Sequence, residues 1–186
     1  MKKPPASGHY HLHIHPISKG SGHNIFASLA YRHGLAITAS GHDHSATAAA
    51  AYRRAQSLGS GEQVFDYRRK VGVQWTGIAA PDDAPDWARD PVTLWRMVDQ
   101  TETRTNARFA REVIIALPHQ VGLDQHIELL HQFVRTHAIP RRMVADMAIH
   151  APPTHTGGDP RNWHAHILLT DRPITADGFA RVKDRS

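Results

Sequence analysis

Two histidines stand one residue apart in residues 163–170, WHAHILLT. On a strand, His164 and His166 leave the same face, because side chains alternate with a period of two. A third, His150, lies near the end of the preceding apolar segment, residues 143–151. If the two segments pair as antiparallel strands, all three imidazoles converge. Three histidine ligands with coordination positions left open describe a catalytic metal site rather than a closed structural one. In a chain with 16 histidines an isolated His-x-His is weak evidence. The third histidine, together with Asn162 before the pair and Arg172 after it, raises it to a candidate metal centre. Imidazole donors bind Mn²⁺, Co²⁺, Ni²⁺ or Zn²⁺ more tightly than Mg²⁺, which prefers oxygen. Cellular availability makes Mn²⁺ or Mg²⁺ the expected ion all the same.

Such a centre suits phosphodiester chemistry, and a side-chain nucleophile is then needed. The chain has no cysteine, so the choice falls on Ser, Thr, Tyr or a metal-bound water. Tyr31 and Tyr52 each occur as Ala-Tyr-Arg, with Arg32 and Arg53 adjacent. A phenol with a pKa of about 10 needs a nearby cation or base to attack at neutral pH, and the arginine or the metal can supply it. The competing reading is an Ala-rich helix that merely packs a tyrosine. The two settings look alike, SGHNIFASLAYR and SGHDHSATAAAAYR, as a local duplication would produce. At the N-terminus, His9, His11, His13 and His15 form a row on one side of a strand, with Leu12 and Ile14 on the other. Alternate residues lie ~6.5–7 Å apart, so the row cannot serve one ion. One or two of these histidines are expected to approach the site or DNA, and the rest to form a polar face.

The elements that must position these groups alternate along the chain. A strand covers residues 9–18, followed by a Gly/Ser/Lys loop, a short helix over 24–34, a second loop and an Ala-rich helical stretch over 45–59. Residues 64–78 are β-rich. A loop, PDDAPDWARDP, ends in Asp90 as a helix cap and Pro91 as its first turn, and a helix follows over 92–106. Residues 111–118 are a strand stopped by proline. Residues 124–137 form an amphipathic helix, with Ile127, Leu130 and Val134 at helical spacing. Strands over 143–151 and 163–170 flank a turn-rich PPTHTGGDPRN. Strands separated by helices, with a hairpin-like pair near the end, predict an α+β fold: an antiparallel sheet covered by helices.

A chain of 186 residues supports one domain with a full core. It has no run near the ~20 apolar residues of a membrane span and no apolar stretch of a signal peptide at its start. The cytoplasm is the default compartment. A formal net charge of +5 favours a polyanionic partner.

Read together, ISKGSG, SATAAAAYR, VFDYRRKVGV, PDDAPDW, REVIIALP, MAIHAP and NWHAHILLTDRPIT resemble the MobA/MobL relaxases, also called MobQ, and especially their TraA-like branch. The motifs run in family order from about His11 to Phe179. The resemblance implies an HUH endonuclease fold with a central antiparallel sheet of about five strands. It implies His150, His164 and His166 as the ligands of a divalent metal, and it places Glu112 at an acidic position near the site. It further implies site-specific nicking of one strand at a plasmid transfer origin, with single-stranded DNA as partner. A bacterial cytoplasmic setting, relaxosome accessory proteins, a type IV coupling protein and a monomeric state come with it. Relatives usually carry one tyrosine helix where this chain has two. Tyr31 keeps the spacing from the first strand and Tyr52 the closer motif match, so Tyr52 is favoured slightly, and both acting in turn stays open. Residues 1–186 read as one nicking domain, either cut from a longer protein or naturally short.

The implied reaction is in-line attack by tyrosine, giving a 5′-phosphotyrosyl link and a free 3′-hydroxyl. Lys19, Arg32, Arg53, Arg68, Arg69, Lys70 and Arg172 are candidates for a groove along the DNA backbone, and Trp75 or Trp163 for stacking on bases. A rolling-circle initiator or single-strand transposase would share this chemistry. A non-catalytic His-rich DNA- or metal-binding module would need neither tyrosine, and a zinc hydrolase using bound water would leave no protein–DNA adduct.

Overall fold

The computed structural model describes residues 11–18, 72–152 and 159–184 in full and the backbone of 57–60 and 63–66. Five strands make the main sheet: β1 (Leu12–Ser18), β4 (Val73–Ala79), β5 (Arg108–Ala116), β6 (Ala145–His150) and β7 (His164–Thr170). Their order is β1-β5-β7-β6-β4, every neighbouring pair antiparallel. β2 (Ser57–Ser60) and β3 (Gln63–Asp66) form a separate hairpin, and β8 (Ile174–Thr175) pairs with β9 (Gly178–Phe179). The α+β expectation and the five-stranded sheet both hold.

Two helices cover opposite faces. Helix α1 (Pro91–Thr101) starts where the sequence puts it: the Asp90 carboxylate accepts the Thr93 N–H at 2.8 Å, and Pro91 occupies the first turn. It buries Leu94, Trp95 and Val98 against Ile17, Ala110 and Leu168. The Trp95 indole donates to the buried Asp146 Oδ2 at 2.7 Å, so its one polar atom is satisfied inside the core. Burial of a side chain this size contributes roughly 4–6 kcal/mol at about 25 cal/mol per Å². Helix α2 (Leu123–His137) buries His126, Leu130 and Val134, packing on the other face against Met147, Ile149, Ala165 and Ile167.

Several local expectations are corrected. The Ala-rich stretch was expected to be helical through Gly59, but Ser57–Ser60 is a strand, because pairing with Gln63–Asp66 outweighs local propensity there. The β-rich residues 64–78 divide into β3 and β4, which belong to different sheets. The helix expected over 92–106 ends at Thr101, and β5 begins at Arg108 rather than Arg111. In β1, Leu12 and Ile14 are each 57% exposed and belong to neither apolar cluster, whereas Ile17 of the same strand is buried in the α1-side core. Among the described residues, no helix is long and apolar enough to cross a membrane.

Candidate metal centre

The histidines come together because of strand register. His150 pairs directly with His164 across β6 and β7, and His166 lies opposite Ala148. All three side chains therefore share one sheet face. Their ring centroids are 4.7–5.3 Å apart. One ring nitrogen from each falls within 4.8 Å of the others, the one such cluster of possible metal ligands among the described residues. His150 and His166 are buried and His164 is half-buried. Beyond β4, the Ala151 N–H donates to Gly72 O at 2.8 Å and extends the ladder past His150. Gly72 has φ of +104°, and a Cβ there would lie 3.1 Å from Ala151 O, so glycine suits this close approach.

Hydrogen bonds select which nitrogens face the centre. His164 Nδ1 donates to Asn162 O at 3.0 Å, and His166 Nδ1 donates to Glu112 Oε1 at 2.8 Å. Each bond fixes the tautomer, with the proton on Nδ1 and the lone pair on Nε2, the arrangement a metal-binding imidazole requires. The three-imidazole donor set thus fits a divalent ion of the borderline kind. Glu112 is 2% exposed. Its second oxygen, Oε2, accepts from His15 Nε2 at 2.7 Å. The bond follows from register as well, because His15 pairs with Glu112 and His13 with Ile114 on the same sheet face. Among the described members of the N-terminal row, His11, His13 and His15, it is His15 that is tied to the centre through Glu112. The sequence carried a signal for it, the period-two row, but the partner strand was needed to say which histidine meets Glu112.

Other candidates are placed differently. Arg172 turns inward: its Nε donates to Glu102 Oε1 at 2.6 Å and its Nη1 to the carbonyls of Ala180 and Arg181. Trp75 packs into the α2 cluster with its ring 5.7 Å from that of His131, and its indole lies across Gly77, where a Cβ would meet it at 2.5 Å. Trp163 packs beside His126, ring centroids 5.3 Å apart. Tyr31, Tyr52, Lys19, Arg32, Arg53, Arg68, Arg69 and Lys70 lie outside the described residues.

Asp159 and Arg161 organise the approach to His164. The Arg161 backbone N–H and Nε both donate to Asp159 Oδ1 at 2.9 Å. The guanidinium's hydrogen bonds, helped by the backbone bond, hold the Asp159 carboxyl down at about 2.

Comparison with known proteins agrees with this architecture. The chain is 33% identical over 183 residues to a probable conjugal transfer protein TraA of Sinorhizobium fredii, covering 93% of this chain and 14% of that protein. It is 31% identical to a probable mobilization protein MobA of Bifidobacterium longum (95% of this chain, 27% of the relative) and 30% identical to a mobilization protein MobL of Acidithiobacillus ferridurans (91% and 44%). It therefore spans less than half the length of each of these relatives. A solved structure described as the molecular basis of vancomycin resistance transfer in Staphylococcus aureus superposes with a TM-score of 0.71 at 26% identity, covering 95% of this chain and 78% of that one. The MobA/MobL family matches residues 44–186, taking in the three histidines and Glu112, and the chain belongs to that family.

Proposed function

We propose that this chain is the DNA-nicking domain of a relaxase, cutting one strand at a plasmid transfer origin and remaining covalently attached to its 5′ end. The observation that carries the reading is the convergence of His150, His164 and His166 on one sheet face, with Nδ1 of two of them already occupied. His150, His164 and His166 would hold a divalent ion, Mn²⁺ or Mg²⁺ in the cell, which would supply Lewis-acid stabilisation of the charge developing on the scissile phosphate. Glu112 and Asn162 O hold the His166 and His164 rings in the orientation that presents Nε2.

The nucleophile is a tyrosine, Tyr52 or Tyr31. The family match begins at residue 44, so it includes Tyr52 and leaves out Tyr31, which favours Tyr52. The phenolic oxygen forms a bond to phosphorus, the P–O3′ bond breaks, and the phenol's proton ends, in net, on the 3′-oxygen. The ester keeps the phosphate at the same oxidation state and bond order, so the strand can be rejoined without ATP. The partner is single-stranded DNA, since a phosphate inside a duplex cannot enter a site on a sheet face. A net charge of +5 supports that partner. Action as a monomer in the bacterial cytoplasm, with accessory proteins and a coupling protein, is the setting this reading entails.

The test is a denaturing gel of protein incubated with single-stranded origin oligonucleotides in Mn²⁺ or EDTA. Wild type should give a metal-dependent covalent adduct, lost in Tyr52→Phe and in His164→Ala. Loss in Tyr31→Phe instead would move the nucleophile. Survival in each single variant but not in the double would mean that either tyrosine serves. The absence of any adduct from folded, metal-loaded protein would favour a non-catalytic binding module.

A further inference from the structure

We propose that His15 is a positioning residue for the metal centre, acting through Glu112 in a chain His15–Glu112–His166 that ties three neighbouring strands together. The inference rests on the metal-centre reading above and assigns a role to a residue outside the ligand set.

The chain is built from register and burial. β5 lies between β1 and β7. Glu112 pairs with His15 on one side and with Leu168 on the other, so its carboxylate reaches diagonally along β7 to His166. The Glu112 side chain is 3% exposed, and a carboxylate so placed needs donors aimed at its oxygens. It receives one on each: His166 Nδ1 on Oε1 at 2.8 Å and His15 Nε2 on Oε2 at 2.7 Å. Held at both oxygens from opposite strands, the carboxylate cannot turn about its terminal bond. That fixes Oε1, which in turn fixes the tautomer and plane of the His166 ring.

His15 has little else to do in hydrogen-bonding terms. Its Nδ1 is buried and meets no hydrogen-bond partner among the described residues. Its ring also lies 5.2 Å from that of His13, which limits its swing. A residue present only to fill space at this edge would have no need of an N–H at that point. With an apolar residue there, Oε2 loses a donor, the carboxylate gains a rotational degree of freedom, and His166 is presented less often in its binding orientation.

Outer partners of metal-bound histidines typically change affinity by about 10–100-fold when removed. Glu112 belongs to that class, and His15 stands one bond further out, so a smaller change is expected, about threefold to tenfold. The experiment titrates Co²⁺ into the metal-free full chain, read by its ligand-field absorption and by calorimetry, for wild type, His15→Phe, His15→Gln, His15→Asn and Glu112→Gln. Glutamine carries an N–H at about the reach of Nε2 and should restore wild-type affinity, whereas the shorter asparagine should not. The deficit of His15→Phe should vanish in a Glu112→Gln background, because the coupling runs through that carboxylate.

Equal Co²⁺ affinity and spectra for wild type, His15→Phe and His15→Asn would overturn the inference and leave the three-histidine centre standing. An equal loss in His15→Phe with and without Glu112→Gln would overturn it too, since the effect would then not pass through Glu112. If His15→Phe does not fold, the Gln/Asn pair decides alone. Failure of wild type to bind Co²⁺ in a His164-dependent way would overturn this inference together with the metal-centre reading, an outcome distinguishable from the first two.

Discussion

Two buried carboxylates, Glu112 within the sheet and Asp171 just past the end of β7, have opposite kinds of partner. Asp171 follows directly on β7 and is 1% exposed. It accepts from the guanidinium groups of Arg108 and Arg111, with Lys183 Nζ 3.8 Å away. Beside it, Glu102 takes Arg172 at 2.6 Å and Lys183 at 2.8 Å. These partners carry permanent charge and have only donors to give, so they offer no lone pair to a metal. The two carboxylates staple residues 171–184 to the end of α1 and the start of β5. Glu112 is buried to the same degree but faces imidazoles, each of which donates with one nitrogen and keeps a lone pair on the other. Burial alone therefore does not separate a staple from a site. The chemistry of the partner does: cations have no lone pair to give a metal, whereas an imidazole has one.

If this division is right, the two ends should respond independently. The largest effect belongs to His164→Ala, which removes one of the three proposed metal ligands. On the proposed function, nicking should fall on the order of 10³-fold or more, the several kcal/mol a Lewis acid supplies to the transition state, while the thermal midpoint of the metal-free protein moves little. A collapse of stability as well would mean that the histidine end is also structural. Asp171→Asn should do the reverse, costing about 3–5 kcal/mol in urea denaturation because it breaks a buried ion pair from one side. Its Co²⁺ affinity should match wild type. Asp90→Ala, which removes the α1 cap, should cost about 1 kcal/mol in the same assay, again with unchanged metal binding. Weakened metal binding in either variant would show the two ends to be coupled through the sheet.

The sequence made some of this legible and not the rest, for physical reasons. Helix α1 could be placed at its start because Asp90 and Pro91 are local signals, and α2 because Leu130 and Val134 repeat at helical spacing. His164 and His166 were legible because a period of two is enforced by the strand itself. His150 joined them only on the assumption of antiparallel pairing, which the register bears out. What local pattern could not carry was the identity of non-local neighbours. Nothing in HYHLHIHPIS says that β1 lies beside β5, so His15 could not be separated from His11 or His13. Arg172 read as a free cation because its partner Glu102 is 70 residues away. Trp75 and Trp163 read equally well as base-stacking or core residues, and packing against α2 is a tertiary fact. At Ser57–Ser60, helix propensity met a strand pairing and lost.

The smallest expected effect concerns how the histidine end is held. Asp159 and Arg161 lie in solvent, yet their contacts shape the turn that delivers Trp163 and His164: the Asn162 N–H donates to Asp159 O at 3.0 Å and the Trp163 N–H to Arg161 O at 2.8 Å. The Asp159 carboxyl is lowered from 3.8 to about 2, mainly by hydrogen bonds from the Arg161 side chain. A depressed carboxyl stabilises the folded turn fully above its unfolded value, and that contribution is lost as pH falls from 3.8 through about 2. Carboxyl NMR should therefore place the Asp159 midpoint near 2 in wild type and closer to 3.8 in Arg161→Gln. Solvent screens such a pair, so the thermal midpoint of Arg161→Gln at neutral pH should fall only slightly below wild type. A carboxyl shift with only a slight loss of stability would fit a site end aligned by many small contacts, in contrast to the buried ion pairs around Asp171. A clear loss of stability in Arg161→Gln would instead give the turn before His164 a structural weight like that of the Asp171 staple, and the contrast between the two ends would narrow.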